Sequence, residues 1–229
     1  MAIREEFGVG EWYHCYTRGV DGRKTFEIEG DYERFLQLLY LVNSKEKRHR
    51  SDILTSSTEQ IMLLPRPETL VEIGAYCLMS NHFHLLIQEK SAGSISTFMQ
   101  KLGTAYTMYF NIRHHRTGGL FVKPFRSRHV TDDRYFQRVL QYIHFNPAEL
   151  YEPGWKDGSV RNLPALLKQL REYRYSSYAA YLGNNRAIDA ILGTVGFDVA
   201  VLQDPQTMLE EAVTYYQELA MSRRRLANG

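Results

Sequence analysis

Residues 71–89, VEIGAYCLMSNHFHLLIQE, leave this chain few folds to choose from. Aliphatic and aromatic residues crowd both halves, and Ser80-Asn81 between them supplies the short polar turn that joins antiparallel strands. The predicted hairpin runs to Met79, turns, and returns as HFHLLIQE, so two histidines open its second strand. Successive side chains on a strand alternate faces: His82 and His84 share one face, and Phe83, Leu85 and Ile87 take the other.

The rest of the chain supplies partners for that hairpin. EWYHCYTR at 11–18 predicts a first strand ended by the Gly19–Gly22 turn, and the spacing of residues 32, 35, 36, 39 and 42 predicts a helix after Gly30-Asp31. Residues 46–70, with Pro65 and Pro67, read as a long polar inserted loop. Ser94 is the predicted N-cap of a second helix, with Ile95, Phe98, Met99, Leu102 and Tyr106 at helical spacing before the Gly118-Gly119 break. LFVKPFRSRHV then reads as extended, and Thr131-Asp132-Asp133 starts a third helix, RYFQRVLQYIHFN, stopped by Pro147.

Strand, helix, strand, strand, helix, strand, helix is the order of an α+β, ferredoxin-like split β-α-β core with one added helix. Its antiparallel sheet is expected to carry helices on one side and leave the other face to a ligand. Residues 1–150 are expected to hold this core. Residues 151–229, with NLPALLKQL, YRYSSYAAYLG and MLEEAVTYYQELAMSRRR, form a helical C-terminal extension packed on or near it.

Hydrophobic residues make up 44% and charged residues 24% of the 229, which suits a folded globular chain and excludes a disordered one. No apolar run reaches membrane-spanning length, so a cytoplasmic location is expected, and Cys15 and Cys77 read as buried thiols. A net charge of +2 does not by itself suggest a polyanionic partner. Basic residues nevertheless cluster at 45–50, 113–116, 123–129 and 222–225, interleaved with sixteen tyrosines, a mixture suited to phosphate neutralisation and base stacking.

With Cα atoms roughly 7 Å apart on one strand face, His82 and His84 can converge on a metal ion, or equally serve as hydrogen-bonded residues of a half-buried sheet. A metal needs a third ligand. Tyr142 and Asn146 lie four residues apart on one helical face, about 6 Å along the axis. Spacing alone is served as well by a capping Asn146 and a packed Tyr142. His14, His114, His115, His129 and His144 have no comparable spacing and read as structural or surface residues.

H-F-H on a strand followed by a helix bearing QYIHFNP resembles the REP-associated tyrosine transposases, relatives of the insertion-sequence transposases within the HUH single-strand endonuclease superfamily. YHCYTRG at 13–19, AYCLMSNHFHLL at 75–86, RTGGLF at 116–121, YIHFNP at 142–147 and SSYAAYLG at 176–183 keep the family order. The chain departs from the family pattern at Ser80, where proline is common, at Tyr175, where tryptophan is usual, and in the length of the 46–70 loop.

The resemblance implies a metal-dependent transposase and endonuclease that cuts and rejoins single-stranded, hairpin-associated DNA through a 5′-phosphotyrosine on Tyr142. It further implies Mg2+ or Mn2+ held by His82, His84 and Asn146. Arg126 and Arg128, on one side of an extended segment, with Lys123 nearby and Arg18 ending the first strand, are the expected DNA-backbone contacts. One nucleophile per chain fits a monomer with sequential turnover or a homodimer. Two other readings remain open at this point: a non-enzymatic nucleic-acid-binding module, and a small-molecule oxidoreductase or hydrolase, which needs a carboxylate or third histidine beside the pair.

Overall fold

A computed structural model describes residues 6–46, 57–184, 186–194 and 204–227, with backbone alone at 220 and 222–227. Four antiparallel strands, β1 (Trp12–Arg18), β2 (Val71–Met79), β3 (His82–Glu89) and β4 (Arg126–Val130), form a sheet in the order β2-β3-β1-β4. This is the expected ferredoxin-like arrangement: the hairpin β2-β3 docks on β1, and β4 closes the other edge. The register sets His84 opposite Tyr16 and Cys77, and His82 opposite Arg18 and Met79.

Helices α1 (Glu29–Leu41) and α3 (Ser94–Arg113) cover one face of the sheet. Phe83 points into that layer, 4.8 Å from the Phe35 ring and 5.4 Å from Phe121, and anchors β3 there. Buried Asp31 ties the layer together: it accepts the Glu27 and Ile28 N–H groups at the start of α1 and is contacted by Tyr109 and His114 from α3. His114 is thus a tertiary cross-link.

The opposite face is not left free. Helix α4 (Asp133–His144), started by the Asp132 carboxylate accepting from Tyr135 N–H, crosses it and contacts β2, β3 and β4. Its apolar stripe, Phe136, Val139, Leu140 and Ile143, demands burial, and the histidine-bearing face is the surface available. Trp12 meets Phe136 edge-on at 5.3 Å.

Two local expectations change. The first α3 cap is Gly93, in the left-handed region at φ +79°, while Ser94 is helical and its hydroxyl donates to buried Glu89. The Glu89 carboxylate accepts from Ser94 and Ile95 N–H and so takes the capping role. Within the inserted segment, Ser57 caps a short helix α2 (Thr58–Met62) whose Ile61 and Met62 are buried; residues 47–56, which include most of the 45–50 basic cluster, lie outside the described residues.

Downstream, α5 (Ala148–Tyr151), α6 (Leu163–Glu172), α7 (Tyr178–Tyr181) and α8 (Pro205–Ala227) build a second apolar cluster around Trp155, Leu170 and Leu209. The segment before α7 also joins the sheet, since Ser177 hydroxyl accepts from Tyr76 N–H and Leu78 N–H donates to Tyr175 carbonyl. The side chains of 222–225 lie outside the described residues.

Gly74 is required by this packing. It sits at the bulge between Ile73 and Ala75, and a Cβ there would lie 2.9 Å from Trp12 Cζ3. Because Trp12 is pinned by Phe136, Gly74→Ala is expected to cost about 1–3 kcal/mol, measurable as a lowered midpoint in chemical denaturation.

Candidate functional site

The sheet face under α4 gathers the residues that the sequence singles out. His84 is buried and His82 half-buried, and their rings stand perpendicular with centroids 5.0 Å apart. Tyr142 meets His84 edge-on at 5.2 Å. Asn146 lies beyond the last residue of α4, which ends at His144 with Phe145 as cap, rather than in its last turn. Its backbone still follows a helical turn into α5, because Phe145 and Pro147 keep compact φ/ψ values, and its Oδ1 comes within 3.2 Å of His82 Nε2.

The polarity of that contact follows from how the Asn81 amide is turned. Asn81 Nδ2 donates to Gly22 carbonyl, which directs Asn81 Oδ1 at His82 Nδ1, 2.7 Å away. An amide oxygen only accepts, so Nδ1 carries the imidazole proton and Nε2 presents a lone pair to Asn146. Two acceptors at this separation are reconciled by a cation or by rotation of the Asn146 amide. The Nδ2 of Asn146 is buried with no hydrogen-bond partner, as expected of a side chain whose oxygen is committed elsewhere.

The arrangement fits a divalent cation. Donor atoms about 3 Å apart form one edge of an octahedron with ligand bonds of about 2.1 Å, close to the 3.2 Å observed here. Among the described residues no three His, Cys, Asp or Glu side chains form a metal-binding group. The candidate set pairs two imidazoles with an amide.

His14 also belongs to this site. Its Nε2 lies 2.8 Å from His84 Nδ1, an outer hydrogen bond that orients the His84 ring and leaves Nε2 of His84 for a ligand. Burial lowers the His14 pKa to about 4, with Arg128 adding to the effect. Burial also lowers His82, and lowers His84 well below the usual histidine value, with His14 and His82 contributing. At neutral pH these imidazoles offer lone pairs. Burial raises the Tyr142 pKa, with the nearby Asn146 amide opposing it.

Basic residues separate into two groups. Arg126 and Arg128 are exposed on the histidine face, opposite Tyr16 and His14, and exposed Arg18 lies opposite His82. Lys123 is not brought to them: it lines an apolar cleft with Thr17 and Phe83 on the far side of the sheet. Lys156, from the turn after α5, instead comes to the site, its Nζ 5.2 Å from the Tyr142 ring centre.

Residues 36–146 match the model of the IS200-like transposase family. DNA binding and recombination come with that family. No curated protein matches the chain significantly. Among solved structures, a REP-associated tyrosine transposase bound to a REP hairpin superposes with a TM-score of 0.50 at 11% identity, covering 89% of this chain and 94% of that one. At that identity the likeness concerns the fold, and it extends past the transposase domain into the C-terminal helices. No helix among the described residues is long and apolar enough to cross a membrane.

Proposed function

We propose that this transposase cuts and rejoins single-stranded DNA, at sites associated with hairpins, through a covalent 5′-phosphotyrosine on Tyr142. The observation that carries the proposal is the convergence of His82 Nε2 and Asn146 Oδ1 at 3.2 Å beside a tyrosine packed edge-on to His84.

In this reading His82, His84 and Asn146 hold a divalent cation, Mg2+ or Mn2+. When bound, it supplies Lewis-acid polarisation of the scissile phosphate. All three ligands are neutral, so none offsets its charge. Tyr142 oxygen attacks phosphorus, the bond to the 3′ oxygen breaks, and that oxygen leaves as a hydroxyl after protonation from water, while the tyrosine proton is lost to water. The new phosphodiester conserves the bond energy, so a different 3′-hydroxyl can attack it, release Tyr142 and join strands without a nucleotide cofactor.

Arg126, Arg128 and Arg18 border the same face and are proposed to follow the phosphate backbone toward it. Lys156 is proposed to offset charge building on the phosphate and the tyrosine oxygen. Lys156→Met is then expected to slow adduct formation about 10–100-fold, with Lys156→Arg retaining most of the rate in a single-turnover assay. A homodimer is not required, since sequential attacks at one Tyr142 complete the exchange.

The test is incubation with labelled single-stranded oligonucleotides carrying hairpins, with manganese or with chelator. A protein–DNA adduct that survives denaturation and forms only with metal supports the proposal. Metal-independent binding with no adduct across a hairpin library favours a binding module instead.

A further inference from the structure

The C-terminal helix contributes to two clefts that meet at Tyr142. One, of about 350 Å³, is lined by Arg134, Arg138, Tyr142, Trp155, Glu211 and Tyr215, among others. The other, of about 330 Å³, reaches His14, His84 and Arg128, and shares Arg138, Tyr142, Tyr215 and Tyr216 with the first. The junction between α4 and α8 therefore opens onto the candidate nucleophile.

Its walls carry a particular chemistry. Tyr215 is 44% exposed although it sits on a helix that buries Met208, Leu209, Ala212 and Val213. Its neighbour Tyr216 is held edge-on by Trp155 at 4.8 Å and meets Tyr215 at 5.5 Å, which fixes the position of the pair. Exposed Arg138 sets its guanidinium 5.4 Å from the Tyr215 ring centre, and exposed Arg134 lies one helical turn away on α4. Glu211, on the same wall, is engaged by Gln141 at 3.5 Å. An exposed aromatic beside guanidinium groups can take a nucleobase by stacking and its phosphate by charge.

We infer that Tyr215, Arg138 and Arg134 form a subsite for one unpaired nucleotide next to the scissile phosphate, with the base on Tyr215 and its phosphate on the arginines. The inference rests on the proposed single-strand cleavage for its biological meaning, but it concerns binding and is tested without chemistry. It gives α8 a direct part in holding substrate. Packing alone would have been satisfied by an aliphatic residue or by a tyrosine turned inward.

The experiment compares the affinity of the full-length protein for dye-labelled dT12 and for an abasic 12-mer with the same phosphodiester backbone, by fluorescence anisotropy in chelator so that no adduct forms. The wild type is expected to prefer dT12 by about five-fold or more. Tyr215→Ala should lose most of that preference and Tyr215→Phe should keep it, each with an unchanged melting profile because the ring is exposed. Arg138→Gln should weaken both oligonucleotides alike and reduce the salt slope by about one.

Equal binding of both oligonucleotides by the wild type, no measurable binding of dT12, or an unchanged preference in Tyr215→Ala would overturn the subsite. Failure to form an adduct in the presence of metal, with the base preference intact, would instead remove the catalytic reading and leave the subsite standing.

Discussion

Tyr142→Phe is expected to reduce adduct formation more than about 1000-fold, as loss of the sole nucleophile does in other covalent enzymes, while leaving DNA affinity nearly unchanged. The substitution deletes one hydroxyl. The ring contacts with His84 at 5.2 Å and His14 at 5.7 Å are retained, so the fold should be preserved. Losing one partly buried hydroxyl should cost only about 1 kcal/mol. The informative result is the dissociation of the two readouts, binding retained and covalent capture lost. Residual adduct would direct attention to Tyr135 or Tyr16, which border the same cleft.

The second large effect concerns the metal. His82→Ala removes a proposed ligand and should raise the Mn2+ concentration needed for half-maximal adduct formation by more than about 100-fold, since loss of even an outer-shell partner costs about 10–100-fold. His14→Ala provides that outer-shell comparison: His14 touches His84 and is not itself a proposed ligand. Isothermal titration with Mn2+ separates the two, because His82→Ala should abolish the high-affinity isotherm and His14→Ala should weaken it. Equal metal affinity in wild type and His82→Ala would remove His82 from the ligand set. Denaturation curves on the same samples distinguish ligand loss from unfolding.

The parts of the site that were legible in sequence are those fixed by local periodicity. Strand alternation sets His82 and His84 on one face and Phe83 in the core, and the four-residue interval brings Asn146 under Tyr142 despite the earlier end of α4. What local spacing does not carry is long-range register. His14 lies 70 residues from His84 and reaches it only because β1 pairs with β3 so that Tyr16 faces His84 and His14 falls on the diagonal. A histidine alternating with Trp12 and Tyr16 in a buried strand was the available signal. Lys156 and Tyr215 arrive from segments whose docking depends on the second apolar cluster, for which the sequence offers helices but no address. Lys123 illustrates the converse: proximity in sequence to Arg126 and Arg128 did not bring it to their face.

The covered histidine face has the same origin. The ferredoxin-like order accounts for α1 and α3, whereas α4 follows the last strand and must bury its own apolar stripe. Covering the face narrows an open sheet to clefts beside Tyr142, bordered by His14, Arg128 and the tyrosines of α8. An extended single strand fits such a cleft more readily than a duplex, whose two backbones must be accommodated together.

The central claim is tested most directly by mapping the covalent link. After reaction of the wild type with a cleavable hairpin-bearing oligonucleotide and Mn2+, protease digestion and mass spectrometry should find the nucleotide mass on the peptide containing Tyr142, attached through a 5′ phosphate. A link to any other residue, or a 3′ phosphate linkage on Tyr142, would contradict the account.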